Sequence, residues 1–258
     1  MSGLADIMGH GLLGENDPAP VEMLNEQSDH PLLLVCEHAG QAIPTKLNGL
    51  GISRAALDSH IGWDIGAGAV TQVLAQTLGA PAVFQRYSRL VIDCNRPPHA
   101  LDSIPEVSDR VDIPENQGLD QNARAARRVE IFEPFHKAVA NCYARNPRRI
   151  VLSIHSFTPA LNGVYRPWDI GLLFRKDTRT SGLLGGFIHQ AQPQLTIGMN
   201  QPYQIDDSSD WFVPRHGEAR GVPHSLIEIR NEHIHSAEGQ VEWVEILGAA
   251  VARFLKDV

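Results

Sequence analysis

Cysteine is scarce. Cys36, Cys94 and Cys142 are the only three in 258 residues, and an odd count with no short spacing argues against a disulfide framework or a cysteine-type zinc site. Basic charge is also in short supply. Lys and Arg number 22 against 30 Asp and Glu, a net charge of −8 with histidines neutral. No basic excess exists to neutralise phosphates, so a nucleic-acid backbone is not the expected partner. The clusters Arg124, Arg127, Arg128 and Arg145, Arg148, Arg149 read as solvated helix faces or helix ends. Long apolar runs are missing too, and no stretch reaches the roughly 18 residues of a membrane span. Residues 1–15 have neither the basic start nor the sustained apolar stretch of a signal peptide, so a cytoplasmic location is expected. No repeat, low-complexity tract or linker divides the chain.

What the chain does have is short apolar runs, helical periodicity between them, and twelve histidines. Residues 1–28 are rich in Gly, Pro, Asn and acidic residues and read as an arm with little structure of its own. Residues 29–258 read as a single α/β domain. Its first strand is Leu32–Val35, running into Cys36, Glu37 and His38. A fully apolar run of this length suits a strand buried on both faces of a parallel sheet. A helix follows, with Ile65, Ala69, Val73 and Val70, Leu74, Leu78 as its apolar face and Gly79 as its C-terminal cap. Ala82–Gln85 and Arg89–Arg96 read as further strands, the second stopped by Pro97-Pro98. Residues 97–118 form a long aperiodic connection, often a functional one. Asp120 or Asn122 caps the next helix, whose inward side is Val129, Phe132, Phe135 or His136, and Val139. Strands at 149–155, 171–174, 195–197 and 225–230, with helices at 181–192 and from Ser236 onward, complete an alternation that signals a mostly parallel sheet covered by helices on both faces.

Several strand ends carry chemistry: Glu37 and His38, then Asp93, Asn95 and Arg96, then His155, then Glu228 and Arg230. The pattern of apolar strand, terminal histidine and proline-bearing turn occurs twice, at His38 and at His155. In a parallel sheet, strand ends of one polarity converge on one edge, where open α/β sheets bind ligands. Two histidines and a carboxylate such as Asp64 make a ligand set for a catalytic metal with an open position. A further glutamate can take a proton from water, and arginines suit a substrate carboxylate. Plainer alternatives stand beside each reading. Asp64 can be a helix cap, Glu228 can pair with Arg230 or Arg220, and either histidine can be a hydrogen-bonded structural residue. His60, four residues before Asp64, is a reserve ligand.

Five segments resemble the N-formylglutamate amidohydrolase family: Cys36-Glu-His-Ala-Gly with Ile43-Pro44, His60–Gly66, Gln85–Pro97, Ser153–Pro159 and Ile227–Asn231. The resemblance implies a three-layer α/β/α sandwich with a mostly parallel mixed sheet, similar to zinc-dependent exopeptidases. It implies a zinc-dependent hydrolase that cleaves the formyl amide of an N-formyl amino acid, a small substrate carrying a carboxylate. By motif, His38, Asp64 and His155 resemble the zinc ligands and Glu228 the general base. Arg89, Arg96 and Arg230, with Asn95 and Asn200, resemble substrate-binding groups, and Glu37 a support that orients a ligand or an arginine. Related carboxypeptidases place a glutamate three residues after the first histidine. Here that position is Gln41, so the carboxylate falls to Asp64. The family also leaves open a deacylase for another N-acyl group, or a binding protein that keeps the fold.

Overall fold

The computed structural model describes residues 11–257. Of the expected arm, residues 1–10 lie outside the described residues, and part of the remainder is regular. Val21–Leu24 forms β1, an edge strand antiparallel to β3 (Ala82–Gln85). Between them come β2 (Leu32–Cys36), α1 (Arg54–Asp58) and α2 (Ala67–Leu78). All five residues of β2 are buried, as its unbroken apolar run requires. Gly66 opens α2 at φ 82°. A Cβ there would stand 2.2 Å from the Ile234 carbonyl oxygen, so this sharp turn, two residues after Asp64, needs glycine on both counts.

Residues 89–96 do not form the expected strand; they are a succession of turns. Leu90, Val91 and Ile92 are buried, but their segment has no neighbouring strand. The backbone is satisfied locally instead, with Val91 N donating to Ser88 O at 2.9 Å and Asp93 N to Ser103 O at 2.7 Å. Apolar content reported burial there, not pairing. The 97–118 excursion contains a small hairpin, β4 (Val107–Ser108) with β5 (Val111–Asp112).

Asp120 caps α3 (Gln121–Arg127), its Oδ1 accepting from Ala123 N at 2.7 Å. A wide π-turn over residues 128–132 joins α3 to α4 (Glu133–Arg145). It corrects one expected core position: Val129 is 49% exposed while Ile131 and Phe132 are buried, because the inserted residue rotates the apolar stripe. Then follow β6 (Ile150–Phe157), the hairpin β7 (Ala160–Leu161) with β8 (Val164–Tyr165), β9 (Ile170–Leu173), α5 (Thr178–Ala191), β10 (Ile197–Met199), β11 (His224–Arg230) and α6 (Ala237–Asp257).

Seven strands make one mixed sheet in the order β1-β3-β2-β6-β11-β9-β10. Strands β3, β2, β6 and β11 run parallel. β9 is antiparallel to β11, and β10 is parallel to β9. Leu32, Leu34, Leu152, Ile227 and Ile229 pack with α2, α5 and α6 on one face. Leu33, Val35, Val151 and Leu226 pack with Ile131, Phe135 and Val139 on the other. This is a three-layer α/β/α sandwich. Side chains alternate along a strand, so Glu37 continues the row of Leu33 and Val35, His155 that of Val151, and Glu228 that of Leu226. All three reach one sheet face at the carboxyl ends of parallel strands, where such sheets place ligands.

Candidate metal centre

His38 follows β2, His155 lies near the end of β6, and Asp64 comes from the turn that enters α2. Their three ligating atoms lie within 4.8 Å of one another, and all three residues are buried. Asp64 Oδ2 is 2.8 Å from His155 Nδ1 and 3.3 Å from His38 Nδ1. Asp64 N donates to the His38 carbonyl at 3.0 Å, which ties the two ligand loops together. Asp64 is therefore more than a cap. Gly66 holds the N-cap position of α2, and the Asp64 carboxylate points into the cluster.

Each histidine is backed by a second carboxylate. His38 Nε2 lies 2.7 Å from Asp93 Oδ1. His155 Nε2 lies 3.1 Å from Glu37 Oε2, which also accepts from Ser153 Oγ at 2.6 Å. A proton on each Nε2 satisfies these carboxylates and turns both Nδ1 lone pairs toward the same Asp64 oxygen. Without a metal, a proton on His155 Nδ1 fills this gap by hydrogen-bonding Asp64; a divalent cation would take that proton's place. With ligand bonds of about 2.0–2.1 Å, tetrahedral zinc ligands stand roughly 3.3 Å apart, which is the spacing of Asp64 Oδ2 from His38 Nδ1; Asp64 Oδ2 and His155 Nδ1 are closer, at 2.8 Å, and the three atoms lie within 4.8 Å of one another. The carboxylate–histidine pairs are also the arrangement that fixes tautomer and ring orientation in metal sites. The donor set thus fits a divalent ion. Burial works against the Asp64 carboxylate, yet His38 and His155 outweigh it and hold the carboxyl below its ordinary range. Burial likewise opposes a charged His155, but hydrogen bonds to Asp64 and Glu37 raise it well above the usual imidazole range.

Arg89 braces the cluster from outside. Its Nη1 donates to Asp64 Oδ1 at 3.2 Å and its Nη2 to Asp93 Oδ2 at 2.8 Å. One guanidinium thus spans the Asp64 carboxylate and the Asp93 carboxylate that holds His38.

Glu228 sits beside His155 in register across β11 and β6. It makes neither of the ion pairs open to it in sequence, and its Oε2 is buried with no hydrogen-bond partner among the described residues. Burial pushes its carboxyl up to about 7. His38, Asp64, His155 and Glu228 line one cavity of about 430 Å³, together with Arg89, Asn95, Arg96 and Tyr203.

The expected substrate groups divide. Arg89, Arg96 and Asn95 are on the cavity wall. Arg96 donates through Nε to Asp102 at 3.1 Å and through Nη1 to the Ser209 carbonyl. Asn95 donates to Asp210 Oδ2 at 2.9 Å and accepts from Phe212 N at 2.9 Å, pinning the 206–213 loop. Arg230 and Asn200 are not on that wall. Arg230 is captured by Asp169 at 2.8 Å and Glu232 at 2.7 Å. Asn200 occupies a turn at φ 54° and accepts from Phe174 N at 2.8 Å. His60 faces Asp109 at 3.4 Å and stays outside the ligand cluster. Asp93 was visible as a strand-end carboxylate, but not as the partner of His38. Asp210 and Tyr203, both on the cavity wall, carried no sequence signal, since each sits in an irregular segment.

Among the described residues, no helix is long and apolar enough to cross a membrane. No curated protein sequence matches the chain. Among solved structures, the gene product Atu2144 from Agrobacterium tumefaciens is similar, with a TM-score of 0.87 and 35% identity over 94% of this chain and 99% of that one. N-formylglutamate amidohydrolase from Ralstonia eutropha JMP134 has the same fold, with a TM-score of 0.68 and 20% identity over 93% of this chain and 98% of that one. The sequence profile of N-formylglutamate amidohydrolase matches residues 30–235, a span that holds His38, Asp64, His155 and Glu228. This chain belongs to the N-formylglutamate amidohydrolase family.

Proposed function

We propose that the protein is a zinc-dependent amidohydrolase that cleaves the formyl amide of an N-formyl amino acid, N-formylglutamate or a close analogue, to formate and the free amino acid. The observation that carries this reading is the meeting of His38, Asp64 and His155 with the unpartnered Glu228 in one cavity. His38, Asp64 and His155 would hold a divalent ion, which would supply Lewis acidity and make water a better nucleophile near neutral pH.

The chain's own residues do the rest. Asp93 and Glu37 hold the two imidazoles with Nδ1 inward. Glu228 accepts the proton of the attacking water, then returns it to the amine as the C–N bond breaks. Its buried, unpaired carboxyl suits a group that must both take and give a proton. Arg89 and Arg96 keep N–H groups beyond those their partners use, and in this reading Arg96 takes the substrate's carboxylate. Leu173, Ile205 and Leu226 supply the apolar part of the wall.

Elemental analysis of the purified protein, with a panel of N-formyl and N-acetyl amino acids, tests this. One metal per chain and metal-dependent release of formate are expected. Preference for N-acetyl compounds would identify a deacylase instead. Absence of both metal and hydrolysis would leave a binding protein.

A further inference from the structure

The cavity that holds Glu228 has a neighbour. Arg89 and Arg96 belong to its wall and also to the wall of a second cavity, of about 380 Å³. Two small hairpins outside the seven-stranded sheet build much of that second wall. β4–β5 and its turn supply Val107, Ser108 and Asp109, and β7–β8 supplies Leu161 and Asn162.

The charges on this wall are already matched. His60 faces Asp109 at 3.4 Å, Arg96 faces Asp102 at 3.1 Å and Arg89 faces Asp93 at 2.8 Å. A free ion is therefore not the ligand that this cavity calls for. Its remaining capacity is apolar. Ile61 and Leu90 are buried in the lining, and Pro105, Val107 and Leu161 add to it, with Val107 53% exposed. An exposed apolar side chain in a concave wall gains by being covered. Arg96 commits Nε to Asp102 and Nη1 to the Ser209 carbonyl, so its Nη2 is left for a ligand.

On the reading proposed above, the carboxylate of an N-formyl amino acid ends at Arg96. In a dipeptide a peptide carbonyl stands in that place. It accepts from the same guanidinium, and the chain continues across Arg96 toward the second cavity. We infer that this cavity binds the residue that follows the formylated one, and that the protein deformylates N-formyl dipeptides whose second residue is apolar. The inference rests on the hydrolase reading and extends its substrate class. The step is unchanged: the oxygen of water joins the formyl carbon, the formyl C–N bond breaks, a proton from that water goes to the released amine, and the peptide bond stays intact.

The test is formate release by the metal-loaded protein from N-formylglutamate, N-formylglutamyl-glycine and N-formylglutamyl-leucine. All should be hydrolysed. Leucine should lower KM about tenfold relative to glycine, with similar kcat, as befits a contact made equally in the ground and transition states. Leu161→Trp fills the cavity and should raise KM for N-formylglutamyl-leucine about tenfold while leaving N-formylglutamate within about twofold. Val107→Asp, at an exposed hairpin position, should remove the preference for leucine over glycine. Dipeptides left uncut beside active N-formylglutamate would overturn the inference. So would leucine released in place of formate, equal KM for the two dipeptides, or equal change of every compound in both variants. Hydrolysis of none of the compounds would instead remove the hydrolase reading, and this inference with it.

Discussion

Asp93 Oδ1 lies 2.7 Å from Nε2 of His38. On the reading proposed above, the contact leaves Nδ1 as the His38 nitrogen for a metal. With Nε2 occupied, Nδ1 faces Asp64 and the interior of the cluster. Asp93→Asn should therefore weaken metal binding about 10–100-fold, the usual effect of losing such a support. Competition with a chromophoric chelator measures it. An unchanged affinity would show that Asp93 does not orient the ligand.

Removing the metal should cost stability as well as activity, because an ion that binds only the folded cluster stabilises the fold by its binding free energy. An ion present at a hundredfold above its Kd contributes about 2.7 kcal/mol. For a chain of this size that is a Tm shift of roughly 5–10 °C. Calorimetry before and after chelation, with zinc restored in a third scan, reads this. Identical melting curves would argue that no metal occupies the cluster.

A second histidine pair sits away from the metal ligands. His136 Nδ1 and His216 Nε2 are 2.9 Å apart. Burial lowers both imidazoles, His216 to about 4, where Glu37 raises it and Arg220 and Arg215 add to the lowering. In the unfolded chain a histidine protonates near its ordinary 6.5. Between those values the unfolded state binds the extra proton, so stability is full above about pH 6.5 and falls as pH drops toward about 4. At about 1.4 kcal/mol per unit, His216 accounts for roughly 3 kcal/mol of that loss. Urea titrations of wild type and His216→Gln across this range check it. The two curves should converge by about that much at the acid end, and parallel curves would contradict the assignment.

Gly171 lies opposite Glu228 in the β9–β11 pairing. A Cβ there would stand 1.8 Å from the Gln201 carbonyl oxygen. The loop that brings Pro202, Tyr203 and Gln204 to the cavity passes directly over it. Gly171→Ala should cost about 1–3 kcal/mol as an overpacking change and raise KM more than it lowers kcat. A variant within about 0.5 kcal/mol of wild type, the range of an ordinary surface change, with unchanged KM would show that the loop has room to move.

The legible part of the site was the part built on strands. His38 and His155 each end an apolar run, and alternation places Glu228 on the same face. Asp64 was legible as a carboxylate between the two strand units. Other parts depended on irregular chain. Residues 89–96 carry the apolar pattern of a strand, but Leu90, Val91 and Ile92 are buried in turns, and those turns bring Asp93 to His38. Periodicity cannot report a contact between positions 38 and 93. Val129 was misplaced because a π-turn leaves no mark in the spacing of apolar residues. Arg230 looked available on its strand, and only the fold shows Asp169 taking it.

The central claim is that Glu228 moves the proton in a reaction at the His38, Asp64 and His155 centre. The direct measurement is hydrolysis of N-formylglutamate by Glu228→Gln, with metal content determined on the same sample. The account predicts a full complement of metal and a loss of kcat of at least about 100-fold, the lower range for a positioned acid–base group. Full metal with hydrolysis near the wild-type rate would contradict it.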